Sequence, residues 1–317
     1  MSYLSNIIGR NIFSKEKSLR IFISLFTSKN SKMKHHLGGE KYDHAYVVTV
    51  IHDNISVDWL RVLTDCSVDQ IVHSWDNLTS KGMFIVVPEK LLVWGRYDKN
   101  VAIHQHNISE DVIEIIGPII ISTYAKNQSR KRVSCEYVLF AGVTPAVVSN
   151  EWAYVECLSK ILFHFDKKMK LIYRPHPRVL RLKKLDFIGA ECNIENDYKV
   201  IKYSENIFID AHHQSHISSM KFLQSKCSCV VTYYSTVSLE FILSGKPAIN
   251  FNYEILSHTK INKSVPKYEH IMELKKELLF VEVSDNTALK NAIKKYSLYN
   301  SKEQKSLSSS LNIAPIE

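Results

Sequence analysis

The stretch KLIYRPHPR, Lys170 to Arg178, joins an apolar run of strand type directly to two prolines that bracket a histidine. Pro175 favours an extended Arg174, and Pro177 does the same for His176. The two rings restrict φ, so the imidazole loses little conformational freedom when it binds a ligand. A lone histidine is more often structural, but one held between two arginines at the carboxyl end of a strand indicates a phosphate or diphosphate site.

Strands and helices alternate on both sides of this stretch. EYVLFAG (136–142) reads as a strand that ends at glycine, and NEWAYVECLSKILFHF (150–165) has helical spacing. Farther on, CSCVVTY (227–233) is of strand type, STVSLEFILSG (235–245) is a helix closed by glycine, and KPAINF (246–251) is a further strand. QSHISSMKFLQSK (214–226) and NTALKNAIKKYS (286–297) are predicted as helices. Such alternation predicts a parallel sheet with helical crossovers.

An earlier alternation occupies the N-terminal part of the chain. It consists of four predicted strands at 45–51, 70–75, 90–95 and 112–117, with helices over 56–66 and near 96–106. Before it, KEKSLRIFISLF (15–26) predicts a short amphipathic helix with basic residues on one side, either packed on the core or resting on anionic lipid.

Residues 122–134 are polar and basic and have no hydrophobic period, so they separate the two segments in which strands and helices alternate. We therefore predict an α/β protein of two Rossmann-like domains with parallel sheets facing a cleft. The domains are an N-terminal acceptor domain at 1–125, a linker at 126–134, a C-terminal donor domain at 135–300 and a polar tail at 301–317. Ligands of open α/β sheets bind at the carboxyl ends of the strands.

Composition narrows the class of partner. With 317 residues, 45% hydrophobic and 23% charged, the chain is typical of a globular protein, and no apolar run reaches the roughly 18 residues of a membrane span. The first residues lack a signal-peptide layout and the six cysteines form no framework, so we expect a cytoplasmic protein with free thiols. The net charge of +9 without a nucleic-acid module favours phosphate-bearing small molecules or an anionic membrane surface.

Two further loops carry groups suited to a nucleotide donor. Ser235 and Thr236 stand at a predicted helix start, where hydroxyls and backbone N–H groups make an anion site, or where one of them is only an N-cap. Glu240, one turn later, either accepts from ribose hydroxyls or is an ordinary surface acid. Gly142 and Thr144 offer a close backbone approach for donor phosphates at the start of the second domain.

The loop HSWDNLTSKG (73–82) is dense in hydrogen-bonding groups. Asp76 is the candidate general base for an acceptor hydroxyl, because that task needs a carboxylate within hydrogen-bond reach. Capping of the next turn is the alternative role for Asp76. The candidate acceptor-binding residues of this loop are Trp75, Asn77, Thr79 and Lys81.

Three pieces together resemble the GT-B glycosyltransferase superfamily. They are SWDNLTSKG with the downstream LLVWG, then YRPHPR, then STVSLEFILSGKPAI, in matching order and spacing over roughly residues 45–285. The resemblance is closest to bacterial surface-polysaccharide and capsule enzymes related to CDP-glycerol glycerophosphotransferases and to sialyl- or Kdo-type transferases. The part before Ala45 departs from that plan, because it is short and shows no glycine-containing first strand and acceptor loop. The N-terminal domain is therefore expected to be reduced, or to lack part of its acceptor site.

The resemblance implies roles for the residues above. Asp76 and His176 would be catalytic, with Asp76 as base, in an inverting and metal-independent reaction whose leaving phosphate is stabilised by basic groups and a helix dipole. The implied donor-binding set is Gly142, Thr144, Arg174, His176, Pro177, Arg178, Ser235, Thr236 and Glu240.

The implied activity is transfer of a sugar, or a sugar-like group, from a nucleotide-activated donor to a growing cell-surface polysaccharide or a lipid-linked acceptor. The enzyme would work at the inner face of the cytoplasmic membrane, with no cofactor besides its nucleotide-sugar substrate. Two alternatives remain open. One is a sugar-nucleotide epimerase of the same fold, and the other is a non-catalytic nucleotide-sugar-binding assembly protein.

Overall fold

Two β-sheets, one in each half of the chain, carry the fold. A computed structural model describes residues 19–21, 44–49, 67–72, 74–80, 84, 87–118, 136–165, 168–181, 190–194, 198–211, 215–276 and 281–297. Of these, the residues up to Ser122 belong to one compact unit and those from Thr123 on belong to a second. The predicted helix at 56–66, Lys81, the linker at 126–134 and the tail at 301–317 lie outside the described residues.

The N-terminal unit contains a five-stranded, all-parallel sheet in the order β1-β2-β3-β4-β5. Its strands are β1 (Leu19–Ile21), β2 (His44–Thr49), β3 (Ser67–Val72), β4 (Lys90–Val93) and β5 (Ile113–Ile115). Its helices are α1 (Asn77–Ser80) and α2 (Arg96–His106), with a 3₁₀ turn at Glu110–Val112. The parallel α/β arrangement predicted for this half is confirmed.

The predicted helix over 15–26 is wrong where the structure describes it. Leu19–Ile21 is a strand that pairs in parallel with β2, in register from Leu19 opposite Ala45. Apolar and β-branched residues such as Ile21 suit either state, and the hydrogen bonds offered by a neighbouring strand decide between them. A strand therefore does precede Ala45, and it contains no glycine.

The C-terminal unit contains an eight-stranded sheet in the order β13-β12-β11-β6-β7-β10-β9-β8. Its strands are β6 (Tyr137–Ala141), β7 (Lys170–Arg174), β8 (Ala190–Ile194), β9 (Tyr198–Lys202), β10 (Ile207–Ile209), β11 (Cys227–Thr232), β12 (Ala248–Phe251) and β13 (Val281–Val283). All pairs are parallel except those of β9, which runs antiparallel to both neighbours.

Helices connect these strands. They are α3 (Glu151–Phe165), α4 (Pro177–Arg181), α5 (His216–Lys226), α6 (Thr236–Leu243), α7 (Glu269–Lys276) and α8 (Asn286–Ser297), with a 3₁₀ turn at Val265–Lys267. The sequence predicted α3, α5, α6 and α8 but not α4, α7, β8 or β9. Among the described helices none is both long and apolar enough to cross a membrane.

The strand order places a topological switch beside β6. From β6 the chain passes to β7 and on to the far edge at β8, returns inward through β9 and β10, and then places β11 on the other side of β6. At such a switch the connections leave the sheet in opposite directions and open a crevice at the carboxyl ends of the strands. The loops that follow β6, β7 and β11 border this point.

Aromatic side chains fill the core of the C-terminal unit. The ring of Phe140 lies 5.6 Å from that of Tyr173 and 6.1 Å from that of Phe251, and Tyr154 stacks on Phe251 at 4.3 Å. Rings packed at these distances contribute more than their buried area alone. The strands that carry the loops are therefore held on a rigid base.

The end of α6 is fixed by local chemistry that the sequence predicts. Gly245 has a φ of 78°, and its N–H donates to the oxygen of Ile242 at 2.8 Å. The N–H of Lys246 reaches back to Phe241 at 2.9 Å, which completes a Schellman motif. From the sequence, Lys246 is either a solvated cation, which is favoured, or a phosphate contact. The solvated placement is wrong, because its Nζ is buried and donates to the oxygen of Cys227 at 2.5 Å.

Candidate functional site

Three adjacent strands end at the same level of the C-terminal sheet. Thr232 of β11 pairs with Ala141 of β6, and Ala141 pairs with Arg174 of β7. The hydroxyl of Thr232 also donates to the oxygen of Ala141 at 2.7 Å. The segments that begin at Gly142, Pro175 and Tyr233 therefore leave the sheet together, although they are far apart in the chain.

Gly142 marks the closest approach between two of these segments. Its N–H donates to the oxygen of Arg174 at 2.8 Å. A Cβ at this position would lie 2.5 Å from Oε2 of Glu151 and 3.1 Å from the backbone nitrogen of His176. Only glycine fits here without displacing a neighbour. Thr144 follows in a turn, where its oxygen accepts from the N–H of Val147 at 2.8 Å.

Glu151, the first residue of α3, is a buried acid that sequence reasoning missed. Its Oε1 accepts from the N–H of Val143, and its Oε2 accepts from the hydroxyl of Tyr173 at 2.8 Å. Burial raises the pKa of this carboxyl from 4.5 to about 7, against the lowering effect of those two donors. In the sequence, an acidic residue in the first turn of a helix looks like one that merely stabilises the helix dipole, so it attracts no attention.

Glu151 makes the stability of the C-terminal unit depend on pH. Because the folded pKa of about 7 exceeds the ordinary 4.5, the folded state binds the extra proton, so stability falls as pH rises between these values. The slope approaches about 1.4 kcal/mol per pH unit. We expect Glu151→Gln to flatten the urea-unfolding free energy of this unit between pH 5 and pH 7, whereas the exposed Glu136→Gln keeps the wild-type slope. An unchanged slope in Glu151→Gln contradicts this assignment.

His176 is presented in one orientation. Its Nδ1 accepts from the backbone N–H of Arg178 at 3.2 Å, so the neutral imidazole carries its proton on Nε2. The ring is half-buried, Pro177 begins α4, and the side chain of Arg178 is exposed. In this tautomer the Nε2–H has a fixed direction, and an N–H donor of this kind suits an anionic oxygen.

The start of α6 is shaped by a left-handed residue. Tyr234 has a φ of 50°, and its N–H donates to the buried Oδ1 of Asn250 at 2.8 Å. Ser235 then caps the helix, because its Oγ accepts from the N–H of Val237 at 3.0 Å. Thr236 is the first helical residue and is half-buried. The geometry gives Ser235 the N-cap role and leaves the positive end of the helix dipole at this edge.

Arg174 does not lie open for a phosphate. It is only 4% exposed, and its Nη1 donates to Oδ2 of Asp210, itself 0% exposed, at 2.5 Å. Tyr198 donates to the same carboxylate oxygen at 2.8 Å. Asp210 follows β10 directly, so this ion pair joins the ends of β7 and β10. Arg174 thus stiffens the base of the His176 loop.

Glu240 is buried rather than a surface acid. It is 6% exposed, and its Oε1 lies 3.3 Å from Nε2 of His216. Its Oε2 has no hydrogen-bond partner among the described residues. A buried carboxylate oxygen normally has a donor. This oxygen is therefore available to a hydroxyl of a ligand.

In the N-terminal unit, Asp76 organises the loop after β3. Its Oδ1 accepts from the hydroxyl of Ser74 at 2.5 Å, and its Oδ2 accepts from that of Ser80 at 3.0 Å. The hydroxyl of Thr79 donates to its backbone oxygen at 3.2 Å. Asp76 thus supports α1 and stays half-buried. The neighbouring Trp75 is buried in the core.

Asn77 and Asp98 complete the polar groups near this loop. Asn77 is buried, and its Nδ2 has no partner among the described residues. Asp98, near the start of α2, is 3% exposed and accepts from the N–H of Trp94 at 3.2 Å. Burial is the main cause that raises its pKa to about 7, and the charge of Asp76 adds to the effect. Asp98 was missed, since helix-capping acids look alike in a sequence.

Comparison with known proteins identifies the fold. The structure is similar to the wall teichoic acid polymerase TagF, at 12% identity and a TM-score of 0.53, covering 85% of this chain and 68% of that chain. It is also similar to S. aureus MnaA solved with UDP, at 10% identity and a TM-score of 0.57, covering 90% and 75%. The fold is GT-B.

A third GT-B neighbour is the UDP-GlcNAc 2-epimerase of Methanocaldococcus jannaschii, solved with UDP-GlcNAc and UDP. It is 17% identical with a TM-score of 0.53, covering 88% of this chain and 78% of that chain. Identities this low establish the fold alone. No protein-family model matches the sequence. No curated protein matches it either.

Within the C-terminal GT-B unit, the predicted donor residues form one group at the carboxyl edge of β7, β6 and β11. Its members are Gly142, Thr144, Arg174, His176, Pro177, Arg178, Ser235, Thr236 and Glu240. The predicted acceptor residues Trp75, Asn77 and Thr79 surround Asp76 in the other unit. Asp210 could have been found from the sequence, because it directly follows the strand β10 and so lies at the same edge of the sheet as Arg174.

Proposed function

We propose that this protein is an inverting glycosyltransferase. It transfers a sugar, or a sugar-like group, from a nucleotide-activated donor to a growing cell-surface polysaccharide or a lipid-linked acceptor. The observation that carries the proposal is the common end of β7, β6 and β11, where Gly142, His176 and the start of α6 emerge together. The similarity to a wall teichoic acid polymerase and to a UDP-bound protein supports it.

The C-terminal unit binds the donor in this proposal. The Nε2–H of His176 and the positive end of α6 at Ser235 and Thr236 contact the diphosphate, and Gly142 allows it close to the backbone. Glu240 accepts from the ribose through its unpartnered Oε2. These groups stabilise the charge that develops on the leaving diphosphate, which is the task a metal ion performs in other enzymes.

Asp76 of the N-terminal unit is the proposed general base. Both of its oxygens accept a serine hydroxyl, but each carboxylate oxygen can accept more than one hydrogen bond. The acceptor hydroxyl gives its proton to Asp76, its oxygen forms a bond to the anomeric carbon, and the bond from that carbon to the diphosphate breaks on the opposite face. The net charge of +9 supports work beside an anionic membrane surface.

Nucleotide binding is the first test. We expect the melting temperature to rise with at least one of UDP, CDP, GDP and CMP at millimolar concentration, because a ligand that binds only the folded state stabilises it. His176→Ala should abolish most of that shift, whereas His164→Ala, an exposed histidine in the last turn of α3, should keep it. No stabilisation of the wild type by any of the four contradicts the proposal.

The role of Asp76 is tested by turnover. We expect Asp76→Asn to reduce donor consumption by about 100- to 10,000-fold while nucleotide affinity stays within about threefold, because a general base acts in the transition state. Asp111→Asn is the control, an exposed aspartate of the same unit. Release of UDP or CDP from the corresponding sugar nucleotide is the measurement. Full turnover in Asp76→Asn removes this residue from the role.

An epimerase is the second candidate, and Asp98 is the observation that favours it. An epimerase needs acid and base groups on the sugar, and the buried Asp98 carboxyl, with a pKa of about 7, is influenced by the charge of Asp76. Conversion of UDP-GlcNAc to its 2-epimer without acceptor, with solvent deuterium entering the inverted carbon, would decide for this activity. Nucleotide binding without either turnover would indicate an assembly protein.

A further inference from the structure

Four polar side chains from separate segments lie in one row of close contacts in the C-terminal unit. Asp210, after β10, binds Arg174 of β7 at 2.5 Å. Nη2 of Arg174 lies 3.3 Å from Nδ1 of His216, the first residue of α5. Nε2 of His216 lies 3.3 Å from Oε1 of Glu240 in α6. His216 thus links a buried ion pair to a buried carboxylate.

The partners of His216 determine which of its nitrogens carries the proton. An arginine guanidinium has only donors, so Nδ1 must accept from Arg174. Nε2 then carries the ring hydrogen, and it lies 3.3 Å from Oε1 of Glu240. A doubly protonated ring would turn an N–H towards the N–H of Arg174, so the neutral ring fits both contacts.

Glu240 has a second oxygen that this row leaves open. The residue is 6% exposed, and Oε2 has no hydrogen-bond partner among the described residues. A buried acid with a purely structural role would have both oxygens satisfied. The contact with His216 fixes Oε1 and so sets the direction in which Oε2 faces.

We infer that His216 is a positioning residue, which aligns Glu240 so that Oε2 accepts from a ribose hydroxyl of the donor nucleotide. This inference rests on the proposed nucleotide site. His216 acts through Glu240. Because His216 also contacts Arg174, the buried Arg174–Asp210 pair helps to hold the Glu240 carboxylate in one position. By positioning Glu240, His216 would help the site to select ribonucleotides over deoxyribonucleotides.

The test compares ribose-containing ligands with analogues that lack one hydroxyl. The probes are UDP and CDP with their 2′-deoxy and 3′-deoxy forms, and the readout is the ratio of dissociation constants from calorimetry on the full chain. His216→Ala removes both contacts. His216→Gln keeps an acceptor for Arg174 and a donor for Glu240, and His164→Ala is the matched control at an exposed position.

Wild-type protein should bind the ribonucleotide at least about 10-fold more tightly than one of the deoxy forms, since a hydrogen bond to a charged group is worth that much. In His216→Ala the ratio should fall below about threefold, mainly by weaker binding of the ribonucleotide. His216→Gln and His164→Ala should keep most of the wild-type ratio. A loss of stability alone would weaken all ligands equally and would leave the ratio unchanged.

Any of three results overturns the inference. If His216→Ala discriminates as the wild type does, His216 does not position Glu240, and the nucleotide site itself still stands. If none of UDP, CDP, GDP and CMP binds the wild type, both the inference and the proposed nucleotide site fail. Should His216→Ala not fold, a His216→Gln ratio below about threefold also overturns the inference, because that variant preserves the hydrogen-bonding groups.

Discussion

Replacing Arg174 with alanine is expected to lower the free energy of unfolding of the C-terminal unit by about 3–5 kcal/mol. The substitution leaves Asp210 with a charge at 0% exposure and without its guanidinium partner, although the hydroxyl of Tyr198 still donates to it. The ends of β7 and β10 also lose their side-chain link, although the N–H of Asp210 still donates to the oxygen of Tyr173. Urea unfolding followed by the fluorescence of Trp152, which lies in α3, measures the effect.

Three further variants separate the effect of the unpaired buried charge on stability from the effect of lost packing. Asp210→Asn alone should cost less, and Arg174→Ala combined with Asp210→Asn should be more stable than the sum of the two losses, because the double variant leaves no buried charge unpaired. Arg178→Ala, exposed beside His176, should change stability by less than about 0.5 kcal/mol. If Arg174→Ala lies within about 1 kcal/mol of the wild type, the buried pair is not what holds this edge.

Local signals were enough to predict most of the fold. The run at 170–174 and the helix at 286–297 were predicted with the bounds that the structure has, because a strand run and a helical period are contained within one segment. The antiparallel strands β8 and β9 were missed. AECNI and YKVIK are short and mixed in polarity, and each is stabilised as a strand by the other. The error at Leu19–Ile21 has the same origin, since β2 decides its state.

The residues of the candidate site also fall into two groups, those recognised from their sequence neighbours and those whose role depends on distant partners. His176, Gly142 and Ser235 stood out because proline, glycine and serine have meaning from their immediate neighbours. Arg174 was identified from the same motif but as a direct phosphate contact, and nothing local reveals that Asp210, 36 residues later, takes its charge.

Glu151, Asp98 and His216 gave no local signal at all. The raised pKa values of Glu151 and Asp98 come mainly from burial, which the tertiary structure creates. The importance of His216 comes from two partners on other elements. Sequence reasoning finds loops that are shaped by their own residues. It misses groups whose chemistry is set by packing between distant segments.

Gly142→Ala is expected to reduce turnover of the sugar nucleotide about 100-fold. The new methyl carbon would lie 2.5 Å from Oε2 of Glu151 and 3.1 Å from the nitrogen of His176. Glu151 cannot simply swing away, because Val143 and Tyr173 both donate to its carboxylate. The strain therefore passes to the His176 loop. A displacement near 1 Å in a group that contacts substrate lowers the rate about 100-fold. Overpacking also costs about 1–3 kcal/mol of stability.

The double variant Gly142→Ala with Glu151→Ala tests this explanation directly. Removing the carboxylate removes the atom that the methyl group meets, so the double variant should be more stable than the sum of the two single losses by about 1 kcal/mol or more. Ala146→Ser, exposed in the same loop, should leave stability and turnover unchanged. Urea unfolding and nucleotide release from the sugar nucleotide are measured on all four variants. Strict additivity of the two single losses would show that Gly142 and Glu151 do not constrain each other.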